Sequence, residues 1–260
     1  MSQFLLRFAP PSSVRRLALS ALGWCVPWFA YGAMPLCEAR TGELRTPVIE
    51  LYTSEGCSSC PPADQWLSTL KGKPVVVQAF HVGYWDYIGW VDRFASPAYT
   101  QRQRELASTN QLRSIYTPQV VRDGLDYPAW NSFFRSTPST IAAGANISLQ
   151  RSSASGGDTE QFVAQVNPAP GVKNWSAYWT ITEHGHSSRV KAGENKGETL
   201  QHDFVVRQYT PVGRYQGPQT LRFAAPPAQA DHARQINLVV QDPQTQIPLQ
   251  AIGLQCASGG

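Results

Sequence analysis

Apolar residues follow two different rhythms along the chain, and the rhythm changes near Ile141. Val48-Ile-Glu-Leu-Tyr52 is a short apolar run broken only by Glu50, and it reads as a buried strand. Beyond it, Ala63, Trp66, Leu67 and Leu70 recur at i, i+3, i+4 and i+7, one face of a helix. Pro61 and Pro62 suit the first turn of that helix, where N–H groups have no intrahelical partner. Asp64 suits the positive end of its dipole, and Gly72 before Pro74 marks a stop. Val75-Val-Val-Gln-Ala-Phe80 is a second strand, apolar enough to sit inside a sheet. Strand, helix and strand in so short a span predict a right-handed βαβ unit with parallel strands. Ser96-Pro97 opens another helix, Ser as N-cap, running to about Thr109. Val120-Val121 before Asp123-Gly124 predicts a strand entering a hairpin, and Pro128 to Arg135 a short helix.

Past Ile141 the candidates are short strands: Ile147–Gln150, Gln161–Val166, Trp175–Ile181, Asp203–Val206, Gln219–Phe223 and Gln235–Val240. Several alternate with period two, and polar, glycine-rich turns separate them. A weak alanine run over 224–233 is the one helix-like feature. Such spacing predicts an all-β sandwich. The expected architecture is therefore an α/β domain over 47–142, with a mixed sheet and flanking helices. An all-β sandwich-like domain over 143–256 follows. The length of 260 residues agrees with about two domains.

Composition adds a setting. Arg7, Arg15 and Arg16 precede or open a mostly apolar stretch, Leu17 to Ala33, which reads as a secretory signal over 1–33. Cleavage is expected near Ala33 or after Ala39. A retained membrane anchor is the alternative, although the apolar run is short for a span. Residues 34–46 read as a linker. Losing the three arginines takes the formal charge from +4 to +1. So small a charge gives no reason to expect nucleic acid or an anionic membrane as partner.

Cys25 would leave with the signal, while Cys37, Cys57, Cys60 and Cys256 would stay. An even count in an exported chain favours disulfides, and four cysteines allow three pairings. Local spacing pairs Cys57 with Cys60. Cys37 and Cys256 could then tie the two ends together, although sequence alone does not fix connectivity.

A Cys-x-x-Cys at a strand-to-helix turn suits thiol–disulfide chemistry. The turn brings the sulfurs together, and the helix start favours a thiolate, lowering a thiol pKa from ~8.5 to between ~3.5 and ~7.5. Cys57 is expected to be the exposed nucleophile and Cys60 the resolving thiol. A structural disulfide is the competing reading. Metal binding by the pair alone lacks ligands, because no second Cys-x-x-Cys or His-x3-His follows. His81, ending the second strand, could shuttle a proton or, with both cysteines, hold copper; otherwise it is a packed histidine. Asp86 and Asp92 could orient His81 or cap loops. Tyr84, Trp85, Tyr87 and Trp90 line a groove beside the thiols or pack between the two domains. Pro118 is a candidate cis proline, with Thr117 offering its backbone to an extended substrate; otherwise it merely enters a strand. Gly193-Glu-Asn-Lys-Gly197 reads as a surface turn. His184, His186 and His202 lack trustworthy metal-ligand spacing.

Several stretches together carry a resemblance: Glu50-Leu-Tyr-Thr-Ser-Glu-Gly-Cys-Ser-Ser-Cys-Pro-Pro-Ala-Asp64, Ala79-Phe-His-Val-Gly-Tyr-Trp-Asp-Tyr-Ile-Gly-Trp90, Phe94-Ala-Ser-Pro97 and Tyr116-Thr-Pro-Gln-Val-Val121. Gly193-Glu-Asn and His202-Asp-Phe-Val-Val-Arg207 agree in the second half. The first half resembles a thioredoxin-fold domain. The chain over about 46–255 resembles the secreted bacterial proteins catalogued as domain-of-unknown-function family 1223 (DUF1223). That resemblance implies a thioredoxin-like domain, then a β-rich domain, outside the cytoplasm, and implies no established activity. Gly83 stands where the family usually has Asp, and Val91 and Arg93 replace Lys and Pro. A missing carboxylate beside His81 weakens the case for an Asp–His pair assisting the thiols.

The expectation is an exported thiol–disulfide oxidoreductase, periplasmic or secreted, acting on protein or small thiols or on a redox partner protein. It calls for no cofactor and no metal. The alternatives are a non-enzymatic binding protein with a structural Cys57–Cys60 bridge, and a Cys/Cys/His copper chaperone.

Overall fold

A computed structural model describes residues 37–131, 139–152 and 159–256. The expected signal over 1–33 and the second half of the helix expected over 128–135 lie outside them; Pro128 to Asn131 form a turn. In chain order the elements are β1 (Glu38–Arg40), β2 (Val48–Thr53), α1 (Pro61–Ser68), β3 (Val76–His81), a 3-10 turn (Asp86–Ile88), α2 (Pro97–Thr109), β4 (Gln119–Arg122) and β5 (Leu125–Asp126). Then come β6 (Ala145–Ser152), β7 (Glu160–Pro168), β8 (Trp175–Glu183), β9 (His186–Arg189), β10 (Thr199–His202), β11 (Val205–Tyr215), β12 (Gln219–Ala225), β13 (Arg234–Gln241) and β14 (Pro248–Leu254). The molecule is mostly β, with a mixed sheet and few helices.

β2, α1 and β3 form the expected unit, with the two strands parallel from Val48↔Val76 to Thr53↔His81. β4 joins β2 antiparallel and turns into β5 through Asp123 and Gly124, both at positive φ as a tight hairpin turn requires. α1 ends at Ser68, before Gly72, and single turns carry the chain on to Lys73. The alanine run over 224–233 is not helical: β12 takes its first residues and irregular turns the rest.

The expected break near residue 142 does not interrupt the sheet. The large sheet runs β14-β13-β8-β11-β3-β2-β4-β5, and β11 from the second half lies parallel to β3 at Val205↔Ala79. The described residues belong to one compact unit. The physical reason is the apolar character of β3, whose six residues are all buried and whose edge β2 alone would leave open. The expected linker also contains structure, because β1 pairs with β6.

Two core layers follow from strands buried on both faces. Ile49, Leu51, Val77 and Ala79 pack under Ala63, Leu67 and Leu70 of α1. Tyr52 and Phe80 point the other way, to Tyr99 and Leu106 of α2. The four-stranded sheet β1-β6-β7-β12 lies against the outer part of the large sheet, Leu149, Phe162 and Phe223 meeting Trp179, Ile181 and Leu238. Cys37 and Cys256 are disulfide-bonded at its rim, joining residues 219 apart in sequence.

A buried polar seam ties the halves. Arg102 of α2 reaches Glu50 through two nitrogens, its Nε 2.9 Å from Oε2, and stacks over Tyr178 of β8 at 4.0 Å. The Tyr52 and Tyr178 hydroxyls donate to the same carboxylate. Gln78 of β3 donates to Tyr178 and accepts from Thr180.

Candidate functional site

Cys57 and Cys60 form a disulfide across the turn between β2 and α1. The turn is regular: Cys57 N–H donates to the Ser54 carbonyl and Cys60 N–H to the Cys57 carbonyl. Cys60 is the N-cap of α1. Two expectations change here. Cys57 is not exposed; its accessible fraction is 1% and that of Cys60 is 0%. Nor does the helix start offer free N–H groups, because Pro61 and Pro62 have none and Ala63 and Asp64 N–H both donate to the Cys60 carbonyl. What remains for a Cys57 thiolate is the dipole of α1 and the Ser59 hydroxyl, 3.4 Å from Sγ.

The cysteine segment is also gripped from far along the chain. In the turn between β9 and β10, buried Asn195 donates its amide to the carbonyls of Glu55 (2.9 Å) and Cys57 (3.0 Å). Glu194 accepts from Ser58 N–H at 3.0 Å, which holds its carboxyl below the ordinary range. Gly193, at φ 74°, lets this turn approach Ile88 so closely that an added Cβ would lie 3.2 Å from its side chain.

Trp85 bridges the cysteine turn and the proline turn. Its Cβ lies against Gly56, and its indole N–H donates to Thr117 Oγ1 at 2.7 Å. The Thr117-Pro118 peptide is cis, as its position before β4 suggested. Gln103 braces this corner by donating to the Tyr116 carbonyl and to Gln119. Tyr84 packs on the α2 side of the core, where burial raises its pKa. Trp90 donates to Glu55 at 2.7 Å, whereas Tyr87 is 81% exposed. The aromatic loop thus divides between packing, polar bridging and open surface.

Beside the bridge lies a buried cluster of acids and imidazoles. His81 Nδ1 sits 2.7 Å from Asp92 Oδ2, both fully buried. The same Asp92 accepts the N–H groups of Glu55 and Phe94, each at 2.9 Å. Burial alone would raise the Asp92 pKa, but His81 and these N–H groups outweigh it and hold it below the ordinary value. Asp92, not Asp86, therefore orients His81. Asp86 is one step removed, accepting from Asp92 N–H at 3.2 Å, and its pKa is raised chiefly by burial. His202, ending β10, stands 3.3 Å from Glu55 and 3.8 Å from Asp64. Burial works against its charged form, yet these two carboxylates prevail and raise its pKa to about 9. Asp64 of α1 accepts from Thr53 at 2.8 Å. Ligand atoms of Asp64, His81 and His202 all lie within 4.8 Å of one another.

The sequence profile of the family described as "Protein of unknown function (DUF1223)" matches residues 48–241. The chain belongs to this family. No curated protein matches the sequence significantly. Among solved structures, protein AGR_C_4864 from Agrobacterium tumefaciens is similar at 24% identity and a TM-score of 0.57, over 85% of this chain and 98% of that one. HBP35 of Porphyromonas gingivalis is similar at 12% identity and a TM-score of 0.56, over 82% and 75%. Both show a shared fold.

In this DUF1223 chain, Cys57, Cys60, His81, Trp85, Thr117 and Pro118 fall in one region, linked through Gly56 and Asp92. Glu55, Asp64, Asn195 and His202 belong there as well, although spacing gave Asp64 only a place at the helix start and assigned none of the four to the cluster. The signal for them was their place inside the motifs carrying the resemblance, Glu55 and Asp64 in the first, Gly193-Glu-Asn and His202-Asp-Phe in the last.

Proposed function

We propose that the protein is a thiol–disulfide oxidoreductase acting outside the cytoplasm on protein or small-molecule thiols. The observation that carries the reading is the Cys57–Cys60 pair at the mouth of a parallel β2–α1–β3 unit. Thr117-Pro118 is held beside it by Trp85. We read this arrangement as thioredoxin-like. Export is consistent with two disulfides, which persist in oxidising compartments, and with the arginine-led apolar N-terminus. Among the described residues, no helix is long and apolar enough to cross a membrane.

The reaction is a reversible two-electron exchange. The Cys57 thiolate attacks a substrate disulfide, one substrate sulfur leaves as thiolate, and a mixed disulfide forms. The Cys60 thiolate then attacks Cys57 Sγ, closing the bridge and releasing the second substrate thiol. The substrate gains two electrons and the protein dithiol is oxidised; run backwards, the closed bridge oxidises a substrate dithiol. Either direction requires the buried sulfurs to become accessible, and the Glu194–Asn195 turn, bonded to the backbone of Glu55, Cys57 and Ser58, is the segment whose release would open them. Thr117 would pair its backbone with an extended substrate segment, and Tyr84 and Trp85 would flank it. The expected partners are protein thiols or a redox partner protein.

The burial of Cys57 favours one competing reading, a binding protein with a static bridge. Reduction of insulin disulfides by a small thiol separates the two. The wild-type protein should accelerate it, Cys57→Ser should abolish the acceleration, and Cys60→Ser should accumulate mixed disulfide. Equal activity of Cys57→Ser and wild type would end the proposal. A potential below about −300 mV with no turnover would establish the static bridge.

A further inference from the structure

We propose that Asp64, His81 and His202 form a binding site for one divalent transition-metal ion of the zinc class, beside the Cys57–Cys60 bridge. The three residues come from α1, the end of β3 and the end of β10, and all are buried, at 7%, 0% and 2% accessible. Only the fold brings them together, and it aims one ligand atom of each into the same space, all within 4.8 Å.

The surrounding hydrogen bonds fix which atoms are free. Asp92 already accepts two backbone N–H groups, so it is a carboxylate acceptor toward His81. His81 Nδ1 therefore carries the proton at the 2.7 Å contact, and its Nε2 presents a lone pair. That Nε2 is buried with no hydrogen-bond partner among the described residues, and so are both ring nitrogens of His202. A buried orphan nitrogen is costly, and a cation that displaces the His202 proton would find one such nitrogen from each imidazole facing one carboxylate. Glu55 stands 3.3 Å from His202 Nε2, and Thr53 donates to Asp64 Oδ2 at 2.8 Å. Asp92 thus holds His81 and Thr53 holds Asp64 by hydrogen bonds, while Glu55 Oε1, itself without a hydrogen-bond partner among the described residues, stands where it could take the His202 Nε2 proton. Metal-ligating imidazoles are held as His81 is, with the second nitrogen donating to a carboxylate.

Charge points the same way. Glu55, Asp64 and Asp92 put three carboxylates in one buried cluster with two imidazoles. Two nitrogens and one oxygen suit zinc, copper, nickel or iron, whereas calcium and magnesium take all-oxygen shells. Ligands about 2.0–2.1 Å from a tetrahedral zinc stand roughly 3.3 Å apart, so binding would draw the three inward. A groove of about 430 Å³ reaches Asp64 and His202 from the surface, with Glu194 and Glu198 on its rim, and offers a cation an entry path.

The inference does not rest on the redox reading, because it is tested with both disulfides closed. Chelator-stripped protein is titrated with Zn2+ by calorimetry and with Co2+ by absorption spectroscopy. The expected result is one ion per chain, a ligand-field spectrum with Co2+, and a thermal midpoint that Zn2+ raises and chelator restores. Asp64→Asn and His202→Asn should each weaken binding more than tenfold, and Glu55→Gln by 10–100-fold as an outer partner. His186→Asn, outside the three, should bind like wild type. Circular dichroism identifies any variant that fails to fold, and Asp64→Asn keeps an acceptor for Thr53 if His202→Asn does so. Absence of stoichiometric binding by folded wild-type protein overturns the site. Binding that survives Asp64→Asn and His202→Asn, or is lost in His186→Asn, overturns it equally.

Discussion

Glu50 is an acid in the middle of a buried strand, and its surroundings explain how it is tolerated. Arg102, Tyr52 and Tyr178 all address its carboxylate, and Arg102 is enclosed by the Tyr178 and Tyr209 rings. Removing one partner of such a pair strands the other charge, at about 3–5 kcal/mol. Arg102→Met should therefore destabilise the protein by about that amount in urea unfolding, and adding Glu50→Gln should recover part of it. A loss below ~1 kcal/mol would mean that water reaches Glu50. Glu183 gives a pH test. Burial would raise its pKa, but His186, Arg207 and His232 outweigh burial and hold it below the ordinary 4.5. A depressed carboxylate contributes stability that is present above its ordinary pKa and lost as pH falls through the folded value. Stability should thus fall on acidification below about pH 4.5, and Glu183→Gln should flatten that fall; parallel curves would rule the contribution out. Single residues were legible where their signal is local. Cys57, Cys60 and Pro118 announce themselves through a turn, a helix start and a strand entry. His202 and Asn195 do not, because their partners lie at residues 55, 57 and 64, and no spacing encodes that approach.

Elements show the same division. β2, α1, β3, α2 and the β4–β5 hairpin were legible because periodicity, Ser96-Pro97 and Asp123-Gly124 act within a few residues. β1, β9 and β10 were not, since each is short and acquires its strand character from a partner, nor was β14, whose apolar residues are interrupted by Gln250 and Gly253. The β9–β10 turn matters most among these. It read as an ordinary surface turn, yet it latches onto the cysteine segment through Asn195 and Glu194. Asn195→Ala should take the amide donor from the Glu55 carbonyl and leave the Cys57 carbonyl with Cys60 N–H alone, at about 1–3 kcal/mol. It should also raise several-fold the rate at which a small dithiol reduces the Cys57–Cys60 bridge. An unchanged rate would show that the latch does not control access to the sulfurs.

At the scale of the molecule, the change of rhythm near Ile141 marks a change of composition, whereas the sheet runs through it. Periodicity reports which residues are apolar, and it is silent about which strand adopts a given edge. β11 fills the edge of β3, Phe204 packs with α1, and Tyr209 packs with Phe80, so each half completes the core of the other. A fragment ending at residue 142 should therefore lack a cooperative unfolding transition; a sharp transition with native-like circular dichroism would show that the first half stands alone. Pairing between Ala79 and Val205 also sets a timetable for biosynthesis. The β3 edge emerges from the ribosome more than a hundred residues before its partner, an interval of roughly ten seconds at ordinary elongation rates. Through that interval the nascent chain presents an apolar strand with its hydrogen-bonding groups unmet, the surface that holdase chaperones capture.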